Sequence, residues 1–268
     1  KRHLNRHTPP YSEPFRDCER PNDVWSMDYK GHFRMLDSKY CYPFTLTDNF
    51  SRYLLVCQGL FHPTCEKTQP WLEKAFREYG LPLAMRNDNG APFASVGLGG
   101  ISELSVWLIK LWIRPERIDP GHPEQNGRHE RMHRSLKEET TNPPKASLEL
   151  QQKVFDHFRE EYNSERPHEA LNQGVPASYY FPSRRIFPEK LPGVEYESGF
   201  TVRQVRSNGE IKWKGGMLYI SQALAGEPVG LKQISDSEWD IRFSFHPLGI
   251  LDERTGKVMP KLKIKEKV

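Results

Sequence analysis

The sequence predicts an α/β domain, a sheet with one helical flank, followed by a small all-β barrel. Three β-like segments come early, "DVWSMDYKGHFRM", "YPFTLTDNFS" and "RYLLVCQGL", where β-branched and aromatic residues cluster between turn formers. Helical periodicity then takes over. Beyond Pro182, Pro188 and Pro192 the pattern returns to short strands, punctuated by Asn-Gly, Gly-Gly and Thr-Gly turns.

The elements follow in order. Residues 1–20 read as a basic, Pro-rich arm, and 21–185 as the α/β core. In "TCEKTQPWLEKAFREYG", Trp71, Leu72, Ala75, Phe76 and Tyr79 fall at helical spacing and Gly80 ends the run. "LPLAMRNDNG" is a short strand running into an Asp-Asn-Gly turn, "SELSVWLIKLW" a helix and "IRPERI" a short strand. The loop "DPGHPEQNG" delivers the chain into a helix carrying Glu130, and a second helix covers roughly 146–163. Residues 186–195 form a linker, 196–256 the barrel, and 257–268, with five lysines against one glutamate, a basic tail.

Composition narrows the function classes. The formal charge is +4 and 28% of the 268 residues are charged, which suits a polyanionic partner without demanding one. No apolar run approaches the ~18 residues of a membrane span, and "KRHLNRHTPPYSEP" lacks a signal-peptide core. Cys18, Cys41, Cys57 and Cys65 have no C-x-x-C spacing and read as free thiols of a reducing cytoplasm. The start at Lys1 suggests a segment left out upstream.

The acidic residues carry the chemistry. Two-metal phosphoryl transfer needs carboxylates that converge on divalent cations, and hard Mg²⁺ prefers oxygen donors. Asp28 lies inside the first strand among apolar and aromatic neighbours, a place where an aspartate is disfavoured and costly if buried alone. Asp88 lies where the short strand "LAMRN" meets Asn89-Gly90, alone a weak signal. Glu130 opens "GRHERMHRSLKEE", where Glu130, Arg134 and Lys137 share one helical face, a carboxylate beside two phosphate-reaching cations.

"VWSMDYKG", "NDNGAPF", "HPEQNGRHERMHRSL" and "YNSERPHEAL", in that order, resemble the D-D-E catalytic core of retroviral integrases and bacterial insertion-sequence transposases. The likeness runs from about residue 21 through the terminal β segment. It implies an RNase H-like catalytic core followed by an SH3-like barrel, with Asp28, Asp88 and Glu130 as catalytic residues and metal ligands. It further implies two Mg²⁺ ions (Mn²⁺ substituting), double-stranded DNA as partner (transposon ends and target), a homo-oligomer on that DNA, and a bacterial, nucleoid-associated location without membrane. DNA contacts are expected from Lys30, Asn89, Asn126, Arg128, Arg134 and Lys137, and in the barrel from Arg203, Lys212 and Lys214. The helix-turn-helix region that precedes the core in such enzymes is not evident. Two other classes stay open: an RNase H-like nuclease without strand transfer, and a domesticated, non-catalytic DNA-binding protein.

Two alternatives bear on Glu130. Asp88 and Glu124 are separated by 35 residues, the usual integrase interval, whereas 41 separate Asp88 from Glu130. The family pattern P-x-x-x-G-x-x-E is met by Pro123, Gly127 and Glu130, so Glu130 is preferred and Glu124 kept second. His129-Glu130-Arg131-Met132-His133 also fits the zinc motif H-E-x-x-H. Arg128, Arg131 and Arg134 crowd a site that would carry a dication, so zinc is rejected, and His129 and His133 are expected at the surface or facing DNA. Asp48 in "TDNFSRY" is assigned to a turn, with Arg52 as its partner. "RPHEAL" fits a DNA contact or a helix end equally well. The barrel has seven Lys and Arg against eight Asp and Glu, so any DNA surface there is a local patch.

Overall fold

The computed structural model describes residues 15–87, 98–118 and 127–259, the side chains of Gly127 and Arg128 excepted. Its elements are β1 (Val24–Tyr29), β2 (Phe33–Arg34), β3 (Tyr40–Asp48), β4 (Leu54–Leu60), α1 (Cys65–Tyr79), β5 (Ala84–Asn87), α2 (Glu103–Lys110), β6 (Arg114–Arg117), α3 (Gly127–Thr140) and α4 (Leu148–Ser164). There follow β7 (Thr201–Gln204), β8 (Glu210–Trp213), β9 (Gly216–Tyr219), β10 (Pro228–Gln233), β11 (Glu238–Phe243), β12 (His246–Asp252) and β13 (Lys257–Met259). Of the described residues, 15–87, 115–118 and 127–187 form one compact unit, and 98–114 with 188–259 form another.

In the first unit β1 is the central strand, which is why Val24 to Met27 are all buried whatever their polarity. β3 runs antiparallel to it and β5 parallel; β4 pairs antiparallel with β3, and β6 lies beyond β5. This is the mixed sheet that an RNase H-like core requires. Alternation along β1 sorts its side chains by face. Trp25 stacks on Phe76 of α1, and the Tyr29 hydroxyl is 2.6 Å from that of Thr68 on the same helix. Asp28 falls on the other face, toward α3. The segment 23–35, expected as one strand, is broken after Tyr29, where Gly31 takes φ 79°, a left-handed conformation that favours glycine.

Helix α1 begins at Thr64, whose side chain accepts from the Lys67 N–H, and ends at Gly80. Helices α3 and α4 cover the opposite face with Met132, Leu136, Phe155, Phe158 and Tyr162 packed on Leu54 and Cys57. Strand β4 is the sheet edge, and α4 covers it with polar side chains. Asn163 accepts from the Leu54 N–H at 2.8 Å and donates to the Leu54 carbonyl at 3.1 Å. Arg159 donates to the Leu55 carbonyl at 3.0 Å, while Gln152 donates to the Cys57 carbonyl and accepts from the Gly59 N–H, each at 2.9 Å. These three residues, seven and four apart, share one helical face, so the backbone groups that would invite another strand are satisfied internally. A Cβ on Gly59 would lie 2.8 Å from the tip of Leu148, 3.1 Å from the Cys41 sulfur and 3.2 Å from Phe155, so those side chains would have to shift to admit one.

The second unit is a five-stranded antiparallel sheet in the order β13-β12-β11-β10-β7, with β8 and β9 as a separate hairpin. The expected barrel is therefore not closed: β8 and β9 pair with each other, leaving β7 and β13 as sheet edges. Asn208-Gly209, Gly215 and Thr255-Gly256 supply turns where expected, each of these glycines at positive φ. The core of this unit combines Val205, Val229, Leu231, Ile241 and Phe243 with Ile101, Val106 and Ile109 from α2 and the residues before it. Lys110 of α2 pairs with Glu227 at 2.6 Å. Among the described residues no helix is long and apolar enough to cross a membrane, and none of the four cysteines is disulfide-bonded.

Candidate active site

Asp28 is the penultimate residue of β1, in register with Thr45 of β3. Its carboxylate is 19% exposed and its Oδ1 accepts from the Tyr29 N–H at 2.7 Å. Helix α3 approaches this spot with a buried stripe formed by His129, Met132, His133, Leu136 and Thr140, the i, i+3, i+4 pattern of an inward face. Thr45 Oγ1 is the hub: it lies 2.7 Å from Nε2 of both His129 and His133 and 3.2 Å from the Asp28 carbonyl. Thr47 Oγ1 is 3.0 Å from His129 Nδ1, and His133 Nδ1 is 3.7 Å from Asp28 Oδ2.

Two expectations are corrected here. His129 and His133 are 2% and 4% exposed and face the sheet, not solvent or DNA. Their burial is tolerated because β3 offers two hydroxyls to satisfy the rings. Desolvation pushes the His129 imidazole down to about 3 and that of His133 lower still, with His129 and Lys30 nearby adding to the second shift. Both rings are neutral at physiological pH. The second correction concerns Arg52, expected to pair with Asp48: its guanidinium donates to the Asn49 carbonyl. Asp48 itself is buried, held by the N–H groups of Asn22 and Ser51 and the Ser51 hydroxyl, in the turn role expected of it.

Around Asp28 the chain forms an open cleft of about 480 Å³, lined by Asp28, Tyr29, Lys30 and Gly31 from the end of β1 and by Glu130, His133, Arg134 and Lys137 from α3. The structure thus gathers five residues singled out from the sequence: Asp28, Lys30, Glu130, Arg134 and Lys137. Glu130, Arg134 and Lys137 are exposed, on the solvent side of the helix whose other side holds the histidines. Strand β5 runs parallel to β1 and ends at Asn87. Asp88, Asn89, Glu124 and Asn126 lie outside the described residues, as does the Arg128 side chain.

Two donor sets could hold a metal. Asp28, His129 and His133 present ligand atoms within 4.8 Å of one another. Thr45 Oγ1 already stands 2.7 Å from both Nε2 atoms, so an ion bound to both would have to displace that hydroxyl. Asp28 and Glu130 offer oxygen donors to the open cleft, the chemistry hard divalent cations select. The donor chemistry on the cleft side, two carboxylates among the described residues, suits such a cation.

Sequence reasoning missed Thr45 and Thr47, whose only signal was their alternation in "TLTD". It also passed over Glu116, fully buried and paired with Arg86 at 2.9 Å, its other oxygen accepting from the Arg16 N–H at 2.6 Å. That carboxylate is structural. In the other unit Arg203 and Lys214 gather about Trp213, at 5.7 and 6.0 Å from its ring, and Lys214 pairs with Glu253 at 2.7 Å. Lys212 is exposed on β8.

Two family profiles, each described as integrase core domain, match residues 19–123 and 111–176. An uncharacterized 31.7 kDa protein of insertion element IS407 from Burkholderia multivorans is 27% identical over 163 residues, 59% of this chain and 55% of that protein. An uncharacterized 39.2 kDa protein of insertion element IS476 from Xanthomonas euvesicatoria is 28% identical over 163 residues, 59% of this chain and 44% of its own length. The chain therefore spans about half the length of these relatives. Among solved structures, the HTLV-2 integrase catalytic core in complex with magnesium is similar at 16% identity and a TM-score of 0.44, over 61% of this chain and 99% of that one. The simian T-cell lymphotropic virus intasome in complex with a PP2A regulatory subunit gives 17% and 0.47 over 89% and 84%. With residues 19–176 matched by these profiles, the chain belongs to the integrase core family, and its relatives include proteins of bacterial insertion elements.

Proposed function

We propose that the chain is the catalytic part of a DNA transposase, which cleaves a phosphodiester bond at the ends of its element and joins the 3′-hydroxyl to target DNA. The observation that carries this reading is the cleft in which Asp28 and Glu130 lie together with Lys30, Arg134 and Lys137. Asp28, Asp88 and Glu130 are the residues that would hold two Mg²⁺ or Mn²⁺ ions. When bound, such ions activate the attacking oxygen and stabilise the leaving 3′-oxygen. Lys30, Arg134 and Lys137 would hold the backbone phosphates against this face by charge. His133, buried and neutral, backs the Asp28 carboxylate without bringing a competing cation to it. In this reading residues 21–185 perform the chemistry, and 196–256 present Arg203, Lys212 and Lys214 as a second DNA contact. The acting form is a homo-oligomer that pairs two DNA ends on the bacterial nucleoid.

The test is a strand-transfer assay on a labelled duplex carrying the ends that flank the gene. The native chain should yield joined products, while Asp28→Asn and Glu130→Gln should yield none and still bind the duplex. Native activity in Asp28→Asn would refute the assignment. Cleavage without joining identifies a nuclease; binding without cleavage by the native chain identifies a non-catalytic DNA-binding protein.

A further inference from the structure

The "RPHEAL" segment, which the cleft leaves unused, borders a second cavity of about 590 Å³ between α3 and α4, lined among others by Arg52, Arg131, Ser135, Tyr162, Arg166 and His168. We propose that this cavity binds a backbone phosphate of the DNA, a site separate from the metal-binding carboxylates; the proposal rests on the DNA-processing reading above.

Three guanidiniums share this cavity with one phenol: Arg52, Arg131 and Arg166 line it beside Tyr162, and Arg166 lies 5.7 Å from the Tyr162 ring. Three carboxylates stand against them: Glu139, paired with Arg166 at 2.6 Å, Glu161, which acts on Arg166 through its charge, and Glu169 in the lining. Among the described residues Arg131 has no ion-pair partner, and it is exposed. Guanidiniums crowded in this way repel one another unless an anion joins them, and their planar fork matches phosphate. His168 adds a second, independent sign. Its Nε2 is buried without a hydrogen-bond partner among the described residues, while its ring packs edge-on against Tyr162 at 4.8 Å. Buried polar atoms are seldom left so. Burial, with the charges of Arg166 and Arg52, disfavours the protonated ring; a phosphate seated beside Nε2 would offset them and favour the form that donates to it.

Helix α3 ties this cavity to the cleft. Residues 130, 134 and 137 share one face, and at about 100° per residue 131 and 135 project from the next. DNA lying across α3 would meet the carboxylates on one side and the arginines on the other. A helix is roughly 10–12 Å across, and a strand advances about 3.4 Å per nucleotide. The contacted phosphate would thus lie on the order of three nucleotides from the one cleaved.

Duplex binding by the full chain, followed by fluorescence anisotropy over a salt series, tests this. Arg131→Gln should weaken binding about tenfold at low salt and reduce the slope of log K against log salt by about 1. Arg131→Lys should recover most of that slope, and a duplex with neutral methylphosphonates near the predicted position should bind the native and Arg131→Gln chains alike. Unchanged affinity and slope in Arg131→Gln would overturn the proposal. So would orthophosphate binding that requires Arg131 while duplex binding does not, which marks a site for small phosphates. Asp28→Asn, run in parallel, should lose cleavage and keep duplex affinity; failure there refutes the cleft and leaves the Arg131 result standing. A native chain that binds no duplex overturns both.

Discussion

Thr45 and His133 meet at 2.7 Å, hydroxyl to Nε2, across 88 residues of sequence, and the same hydroxyl holds His129 at the same distance. One β-strand side chain thereby fixes the face that α3 turns to the sheet, and with it the face that Glu130 turns to the cleft. Thr45→Val should leave two buried ring nitrogens unsatisfied, at a cost of about 2–4 kcal/mol. Thr45→Ser should cost much less, and urea denaturation of the two variants distinguishes them.

The same histidines set an acid limit on stability. Their folded pKa values lie below the unfolded value near 6.5, so unfolding takes up protons in acid. Their contribution is complete above about pH 6.5 and should fall away as pH drops toward the folded value of about 3. Asp48 works the other way, since burial raises its carboxyl and its ionisation opposes folding at higher pH. A His129→Gln/His133→Gln chain should show a flatter stability profile between pH 6.5 and 4. An unchanged slope there would place the acid sensitivity elsewhere.

Glu116 and Arg86 form a nearly enclosed ion pair, 0% and 13% exposed. Glu116→Ala would leave the guanidinium without its carboxylate, with an expected loss of about 3–5 kcal/mol. Thermal unfolding reads this directly, and duplex affinity of the folded fraction should be unchanged.

Crystals soaked in Mn²⁺ should give an anomalous peak on the cleft side of Asp28, within reach of Glu130. A peak between the Nε2 atoms of His129 and His133 would mean that Thr45 yields to a metal and that the zinc motif governs. Chelation with EDTA should abolish strand transfer and leave duplex binding in place.

A chain cut after Phe187 removes the strands that share a core with Ile101, Val106 and Ile109. Those three side chains would be left without their apolar partners, and exposed apolar clusters promote association. The shortened chain should aggregate on size exclusion, and Val106→Ser/Ile109→Ser in the same chain should restore its solubility.

What the sequence determined by itself was local in origin. Helices α1, α3 and α4 were legible because their apolar spacing and end signals lie within a few residues of each other. The convergence of Glu130, Arg134 and Lys137 followed from helical geometry alone, and the place of Asp28 in a strand from its neighbours. Only the tertiary structure decided the rest. His129 and His133 lie on the buried face because Thr45 and Thr47 answer them from a strand more than 80 residues away, which no helical pattern reveals. Residues 98–114 read as part of the first sheet domain, yet Ile101, Val106 and Ile109 complete the core of the second unit. Gln152, Arg159 and Asn163 look like ordinary polar helix positions until the bare edge of β4 is set beside them. In each case the deciding partner is distant in sequence, and burial is a property of the pair.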